Sequence, residues 1–319
     1  MKVGILNCSE ISKRIIPAFQ SIEGIEVTTI CSRSIDKANK FALDFDIPYP
    51  TTNEEELYGL DVVYISSPPS EHYFSLMKFI DMGVHVLCEK SLTTSTEDTK
   101  KVIEMADDNG VIVQENYAFP FHNQWNYIVE TLPELGDLLH INSGFEFPPR
   151  NKSIDFRYNA ELGGGALLDA GGYPIKAASL LMDQLHLGEI SGRERFSCDS
   201  EVDVSGDVYF VDESGISSLL SWSFESPYRC EIEIKGTKGK LSAKKIFTPK
   251  EDEMVWVDRM DEFGNLVSTK PFKDNHFANL IKDFKRRIEQ NDNSHHIEII
   301  KQSNWQSYAK TTSLRTLVN

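Results

Sequence analysis

Apolar and polar positions alternate in two rhythms along this chain. In the first third, short apolar runs (Lys2–Asn7, Glu26–Ser32, Asp61–Ser66, Val84–Cys88 and Gly110–Gln114) read as buried strands. Between them, Glu10–Ile22, Ile35–Phe45, His72–Met82 and Thr96–Asn109 repeat apolar residues every three or four positions, the spacing of a helix with one buried face. Pro17 falls inside the first of these helices and should bend it, because it removes an N–H and crowds the preceding turn. Strand–helix alternation with short connections predicts a parallel, doubly wound α/β sheet.

Beyond about Asn116 the rhythm changes. Helical spacing over Asn123–Leu132 gives way to a polar stretch, Phe147–Glu161, and then to a glycine-rich helix over Gly163–Met182. Strands are expected at Phe196–Val204, Gly206–Val211, Ile216–Phe224, Tyr228–Ile234, Gly239–Ala243 and Met254–Val257. Gly236-Thr237-Lys238-Gly239 reads as a hairpin turn between two of them. Helices close the chain at Asn275–Gln290 and His296–Ser313. This is an α+β pattern with a mainly antiparallel sheet. The expected division is residues 1–117 and 118–319, with the C-terminal helices placed to pack back on the first domain.

Composition narrows the partners. The 319 residues are 40% hydrophobic and 26% charged, ordinary for a globular protein, so two domains can each bury a core. There is no apolar run of about 18 residues, which excludes a membrane-spanning helix. The apolar run at the N-terminus is shorter than the roughly 7–15 residues of a signal peptide, and a cytoplasmic location is expected. The net charge of −16 argues against nucleic acid and anionic membranes as partners. The five cysteines are scattered without metal-ligand spacing, which predicts reduced thiols and no metal site.

Candidate chemistry clusters at strand ends. Asn7-Cys8-Ser9-Glu10-Ile11-Ser12 occupies the turn where a dinucleotide fold wants glycines at the first, third and sixth positions. Asn tolerates positive φ and serine is small, so the substitutions at Asn7, Ser9 and Ser12 are mild. The helix start still offers backbone N–H groups to a phosphate, although Glu10 would repel one unless it points away. A cofactor turn and a plain helix cap fit this stretch equally. After the next strand come Ser32, Arg33 and, one helical turn on, Lys37. An acid here would take the ribose 2′-hydroxyl of NAD; a basic group suits the 2′-phosphate of NADP. Ser66-Ser67-Pro68 and His72 surround the end of another strand, and the charged pair Glu89-Lys90 closes the Val84–Cys88 strand. Ligands of an open parallel sheet bind outside the carboxyl ends of its strands, so Lys90 is placed toward a crevice.

In the second half, five glycines between Leu162 and Pro174 surround Asp169 and Tyr173. Such a run is costly in backbone entropy and signals close approach by another segment or a ligand. Four residues apart, Asp169 and Tyr173 are expected on one helix face, where an acid and a phenol can orient and protonate a substrate oxygen. They would serve as well as a cap and a packing residue.

The Ser66–His72 turn, Glu89-Lys90-Ser91, the segment Glu115–Gln124, and Phe156-Arg157 followed by Leu162-Gly163-Gly164-Gly165-Ala166-Leu167-Leu168-Asp169 and Tyr173 occur in order and at the spacing of one family. With the Ile232–Gly239 hairpin, nearly the whole chain resembles the Gfo/Idh/MocA oxidoreductases, above all NADP-using sugar ketoreductases. The resemblance implies a Rossmann domain followed by an α+β domain whose large open sheet carries a homodimer or homotetramer interface. It implies that Lys90, Asp169 and Tyr173 are catalytic, and that Glu89, Lys90 and Asn116 join the strand-end residues around NADP(H), preferred over NAD(H). The substrate implied is a sugar or nucleotide sugar, oxidised or reduced at a CH–OH or carbonyl carbon. On this view Tyr173 moves the proton. A free phenol titrates near pH 10, and a neighbouring Lys90 cation would bring it lower. Four departures stand out: Asn7 for the first glycine, Ser91 for the usual proline, Pro69 where asparagine is common, and Pro120 where arginine is frequent. They leave a second reading, a non-catalytic dinucleotide-binding sensor on the same fold.

Overall fold

The computed structural model describes residues 1–153, 155–182, 191–197 and 201–318. It divides into two compact units, Met1–Asn116 with Phe277–Ile300, and Tyr117–His276 with Lys301–Asn319.

The first unit is built on a parallel sheet of six strands. These are β1 (Lys2–Leu6), β2 (Glu26–Cys31), β3 (Tyr49–Thr51), β4 (Val62–Ile65), β5 (His85–Cys88) and β6 (Val113–Glu115), in the order β3-β2-β1-β4-β5-β6. That order reverses between β1 and β4, which opens a crevice at their carboxyl ends. Helices α1 (Ser12–Gln20), α2 (Ile35–Asp44), α3 (Pro69–Asp81) and α4 (Thr96–Asp108) connect the strands, and Pro17 lies inside α1 as expected. β3 has no counterpart in the hydrophobic pattern. It is three residues long and contains Pro50, which is tolerated because β3 is an edge strand. α7 (His276–Gln290) and the first turn of α8 (His296–Thr312) complete the unit. Ile299 joins the buried cluster of Val63, Ile65, Leu76, Phe79, Val86 and Val102.

Two histidines close the other edge of this sheet. The Val113 N–H donates to His296 Nε2 at 3.1 Å, and His295 Nε2 donates to the Val113 carbonyl at 2.9 Å. His296 Nδ1 donates to Asp107 Oδ1 at 2.6 Å. Both rings must be neutral to make this set. Burial, then the Arg287 charge, pulls His295 down to about 3; burial also lowers His296, opposed by Asp107. The unfolded chain therefore takes up protons below about pH 6.5 that the folded chain does not, and stability falls as pH drops from there. The expected slope is about 1.4 kcal/mol per pH unit for each histidine. Urea unfolding at pH 7.5 and pH 5 checks this. The His295→Gln/His296→Gln double variant should lose less stability over that interval than the parent; an equal loss would contradict the assignment.

The second unit opens with α5 (Asn123–Thr131) and β7 (Leu138–Glu146), and continues through α6 (Gly172–Leu181). The strands β8 (Ser191–Ser197), β9 (Asp203–Val211), β10 (Ser217–Ser223), β11 (Arg229–Gly236), β12 (Gly239–Lys244), β13 (Val255–Asp261) and β14 (Leu266–Phe272) follow, and β15 (Ser313–Val318) comes directly after α8. Among the described residues they form one sheet in the order β14-β13-β12-β11-β7-β10-β9-β8-β15. Neighbours are antiparallel except β7 with β10 and β8 with β15. Ile141, Phe145, Val208, Phe210, Leu220, Trp222, Ile232 and Ile234 bury one face of the sheet.

Several expectations for this half need correction. β7 lies mid-sheet yet was not anticipated. Its residues His140, Asn142 and Ser143 blur the alternation, and Ser143 is buried by donating to the Glu231 carbonyl. The strand expected over Phe196–Val204 is not one element: β8 ends at Ser197, β9 starts at Asp203, and residues 198–200 lie outside the described residues. β9 also absorbs the separate strand expected at Gly206–Val211. β14 carries mixed polarity and Pro271, so it too escaped the pattern. The Gly236–Gly239 hairpin pairs as read.

Candidate functional site

In the first unit the β1–α1 turn is made by substitutes for glycine. Asn7 has φ 83°, the left-handed conformation that asparagine tolerates, and its Oδ1 accepts the Cys8 amide at 3.0 Å. Hydroxyls fill the remaining space. Ser9 Oγ lies 2.8 Å from Ser12 Oγ, and Ser12 Oγ lies 2.9 Å from Ser66 Oγ at the end of β4. Ser66 Oγ also donates to the Asn7 carbonyl at 3.1 Å. The turn is thus tied across the two strands that flank the crevice. Among the described residues the amides of Ser9, Glu10 and Ile11 meet no backbone carbonyl. Glu10 pairs with Lys13 at 2.7 Å, and its side chain is 88% exposed, so its charge is turned out to solvent. The Cys8 thiol is pushed up by burial, against a hydrogen bond with Ser32 and the Lys37 charge.

At the end of β2, Ser32 is buried and donates its amide to the Thr51 carbonyl. Arg33 is 82% exposed and reaches Glu71 Oε1 at 3.3 Å. No acid stands in Ser32–Ser34 at the end of β2, but the fold brings Glu71 from the first turn of α3. A surface pair of this kind is worth at most about 1 kcal/mol, so the guanidinium remains available to an anion. Lys37 sits in the first turn of α2, its amide bonded to Ser34 Oγ.

His72 takes a different part from the one expected. It is fully buried, so it does not face a cofactor; Nε2 lies 2.8 Å from the Ser67 carbonyl and Nδ1 lies 3.0 Å from the Ser91 carbonyl. Burial lowers its pKa and favours the neutral ring, which donates to one of these carbonyls at a time. The imidazole ties the loop after β4 to the loop after β5. Pro68 precedes α3 at the N-cap position and Pro69 starts the helix.

Glu89 and Asn116 form a buried frame behind Lys90. Tyr64 Oη donates to Glu89 Oε1 at 2.7 Å, and Asn116 Nδ2 donates to the same oxygen. Burial raises the Glu89 pKa, while Tyr64, Asn116 and the Lys90 charge oppose the rise. Asn116 is buried, and its amide nitrogen serves Glu89. Lys90 is half-buried at the carboxyl end of β5, and the Lys90–Ser91 peptide is cis.

In the second unit the glycine-rich run is not one helix. Leu167–Gly171 form a π-helical turn, and α6 begins at Gly172. Asp169 therefore lies in the wide turn, and Tyr173 in the first turn of α6. The close approach that the glycines implied comes from the chain itself. A Cβ on Gly164 would meet the Arg157 carbonyl at 2.5 Å, and one on Gly172 would collide with the Tyr117 hydroxyl. Arg157 links the two segments chemically: Nε donates to Asp169 Oδ2 at 2.5 Å and Nη1 to Asp155 Oδ1 at 3.0 Å. Burial works against the guanidinium's charge, but Asp169 and Asp155 outweigh it and hold its pKa up. The half-buried Tyr173 ring packs against Phe145, Tyr117 and Phe247, with centroids 5.0, 5.3 and 5.6 Å away. Lys176, three residues after Tyr173 on α6, is buried as well.

The structure thus gathers Asn7, Ser9, Ser12 and Ser66 at one crevice. It frames Lys90 with Glu89, and it sets Asp169 and Tyr173 on one continuous turn-and-helix. Sequence reasoning missed Arg157 as a site residue, although the motif it belongs to was visible. It missed Tyr117 too, whose spacing from Tyr173 carries no signal. Among the described residues no group of three or more His, Cys, Asp or Glu could hold a metal ion, and no helix is long and apolar enough to cross a membrane.

Comparison with known proteins adds the following. Residues 1–117 match the family model described as an oxidoreductase family with an NAD-binding Rossmann fold, and residues 133–242 match the GFO/IDH/MocA C-terminal domain. A dTDP-3,4-didehydro-2,6-dideoxy-α-D-glucose 3-reductase from Actinomadura kijaniata is 31% identical over 299 residues, 90% of this chain and 87% of that protein. A scyllo-inositol 2-dehydrogenase (NADP(+)) from Bacillus subtilis is 26% identical over 91% of both chains. A crystal structure of a 3-ketoreductase from Actinomadura kijaniata, in complex with NADP and TDP-benzene, superposes with a TM-score of 0.92 at 27% identity, covering 100% of this chain and 99% of that one.

Proposed function

Because the chain belongs to the GFO/IDH/MocA family of oxidoreductases, we propose that it is an NADP(H)-dependent oxidoreductase whose substrate is a nucleotide-activated keto sugar. The family match carries oxidoreductase chemistry on a sugar carbonyl or alcohol. The observation that carries the finer reading is the 31% identity to a dTDP-keto-sugar reductase over 90% of this chain. The retained set Lys90, Asp169 and Tyr173 favours an enzyme over a non-catalytic sensor, which has no need for all three together.

The residues present fit the cofactor. The amides of Ser9, Glu10 and Ile11 would hold the pyrophosphate, with the Ser12–Ser66 hydroxyl pair behind them. Arg33, with Ser32 and Lys37 beside it, would take the 2′-phosphate through charge-assisted bonds. When bound, the nicotinamide supplies or accepts the hydride. The protein handles the proton. Tyr173 gives it to the substrate oxygen during reduction and takes it back during oxidation. Arg157 fixes the Asp169 carboxylate, so that Asp169 can orient the sugar hydroxyl next to the reacting carbon. Lys90 supplies fixed positive charge where negative charge develops on that oxygen. A lysine and a tyrosine are also the residues replaced in crystallised variants of the Actinomadura ketoreductase.

Two measurements test this. Titration with NADPH and NADH, followed by nicotinamide fluorescence, should show tighter binding of NADPH. Arg33→Asp should raise the KM for NADPH by about 10- to 100-fold, the range of one or two charged hydrogen bonds, and leave that for NADH within about threefold. Equal loss with both cofactors would remove Arg33 from the 2′-phosphate. Turnover assays with dTDP-3,4-didehydro-2,6-dideoxy-α-D-glucose, scyllo-inositol and unactivated aldoses then separate substrate classes. Activity confined to inositol or free sugars would overturn the nucleotide-sugar reading.

A further inference from the structure

We propose that Asp203, at the start of β9, is a positioning residue that sets the turn that carries Asp169 and leads into Tyr173. The proposal rests on the reading of Tyr173 as the group that moves the proton.

A π-helical turn is rare and is seldom stable on its own hydrogen bonds, so outside partners decide its position. Here the first amide of the turn, Leu167 N–H, donates to Asp203 Oδ2 at 2.6 Å. The same oxygen lies 3.3 Å from the Trp222 indole nitrogen, which donates to it from β10. The other carboxylate oxygen fills the space over Gly165, whose φ of 118° excludes most side chains, and a Cβ there would collide with it. Asp203 therefore braces the turn from the sheet, two residues ahead of Asp169. The far end is held separately. Gln302 Nε2, on α8, donates to the Gly172 carbonyl at 2.9 Å, and Tyr117 packs its hydroxyl against the same glycine. Between these clamps lie Leu167–Gly171, with Tyr173 one residue past the second. α6 itself runs on from Gly172 to Leu181. The shared effect of the clamps is on where the wide turn sits. A shift of about 1 Å at a proton-transfer group can cost about 100-fold in rate.

Two variants and two readouts decide the matter. Asp203→Ala removes the acceptor; Asp203→Asn keeps an oxygen for the Leu167 amide at the same size. Hydrogen exchange read by mass spectrometry on peptides covering residues 163–173 needs no substrate. In the alanine variant it should speed up by about tenfold or more in that segment alone. With 4-deuterated NADPH and dTDP-3,4-didehydro-2,6-dideoxy-α-D-glucose as the probe, the same variant should lose about 100-fold in kcat, keep its KM for NADPH, and show a larger primary isotope effect because hydride and proton transfer have become slower. Asn should restore most of each. A purely structural cap would lower the folded fraction and leave the isotope effect unchanged, and that outcome overturns the proposal. Unchanged exchange over 163–173 overturns it as well. Should the alanine variant fail to fold, Gln302→Ala tests the opposite clamp: an unchanged isotope effect there contradicts the idea of a positioned turn. Full activity in Tyr173→Phe would instead sink the underlying reading of Tyr173, whatever Asp203 does.

Discussion

Replacing Lys90 by alanine is expected to lower kcat by about 10³-fold, with the fold and NADPH binding retained. Lys90 ends β5 at the edge where an open parallel sheet binds its ligands, and its neighbour Glu89 is fixed by Tyr64 and Asn116. The Tyr64 and Asn116 bonds to Glu89 do not involve the Lys90 side chain, so they outlast its truncation. On the proposed function a fixed charge near the developing alkoxide is lost, and removal of one such group typically costs 10²–10³-fold, more where it also assists proton transfer. Steady-state kinetics with circular dichroism as the folding control checks this. Turnover within tenfold of the parent would remove Lys90 from the chemistry. A far-UV spectrum that collapses would instead make it a structural residue.

The second large effect is expected at Arg157. Arg157→Ala leaves Asp169 and Asp155 without their shared cation in a site where Asp169 is 9% exposed. Breaking a buried pair from one side costs roughly 3–5 kcal/mol, most of it the desolvation of the charge left behind. The partial exposure of Arg157 places this site at the lower end, about 3 kcal/mol. Urea unfolding followed by tryptophan fluorescence should show the loss, and kcat should fall because Asp169 is no longer held. Arg157→Lys should recover only part of both, since a lysine cannot span Asp155 and Asp169 with a planar fork. A loss of stability below about 0.5 kcal/mol would mean that the pair contributes little.

The parallel sheet was legible because its strands are short apolar runs buried on both faces, separated by helices with clear one-sided spacing. The second sheet was harder to read. One of its faces is largely polar, and β7 and β14 place Ser143, Ser268 and Lys270 where a simple alternation would put apolar residues. The candidate site divides the same way. Asn7 at positive φ and the tight packing around Gly164 could each be argued from residue type, whereas the outward Glu10 came only with the structure. The burial of His72 and Asn116 could not, because a histidine or an asparagine at a strand end looks the same in sequence whether it faces a ligand or braces a loop. The π-turn at Leu167–Gly171 was equally hidden. It depends on partners that are distant in sequence, Asp203 and Gln302.

The most direct test of the central claim follows a labelled hydride. The protein is incubated with 4-deuterated NADPH and dTDP-3,4-didehydro-2,6-dideoxy-α-D-glucose, and the sugar product is examined by mass spectrometry and NMR. One deuterium on the former carbonyl carbon, formed by the parent and nearly absent with Lys90→Ala, is the predicted result. Consumption of the keto sugar without deuterium in the product, or labelling that is undiminished in Lys90→Ala, would contradict it.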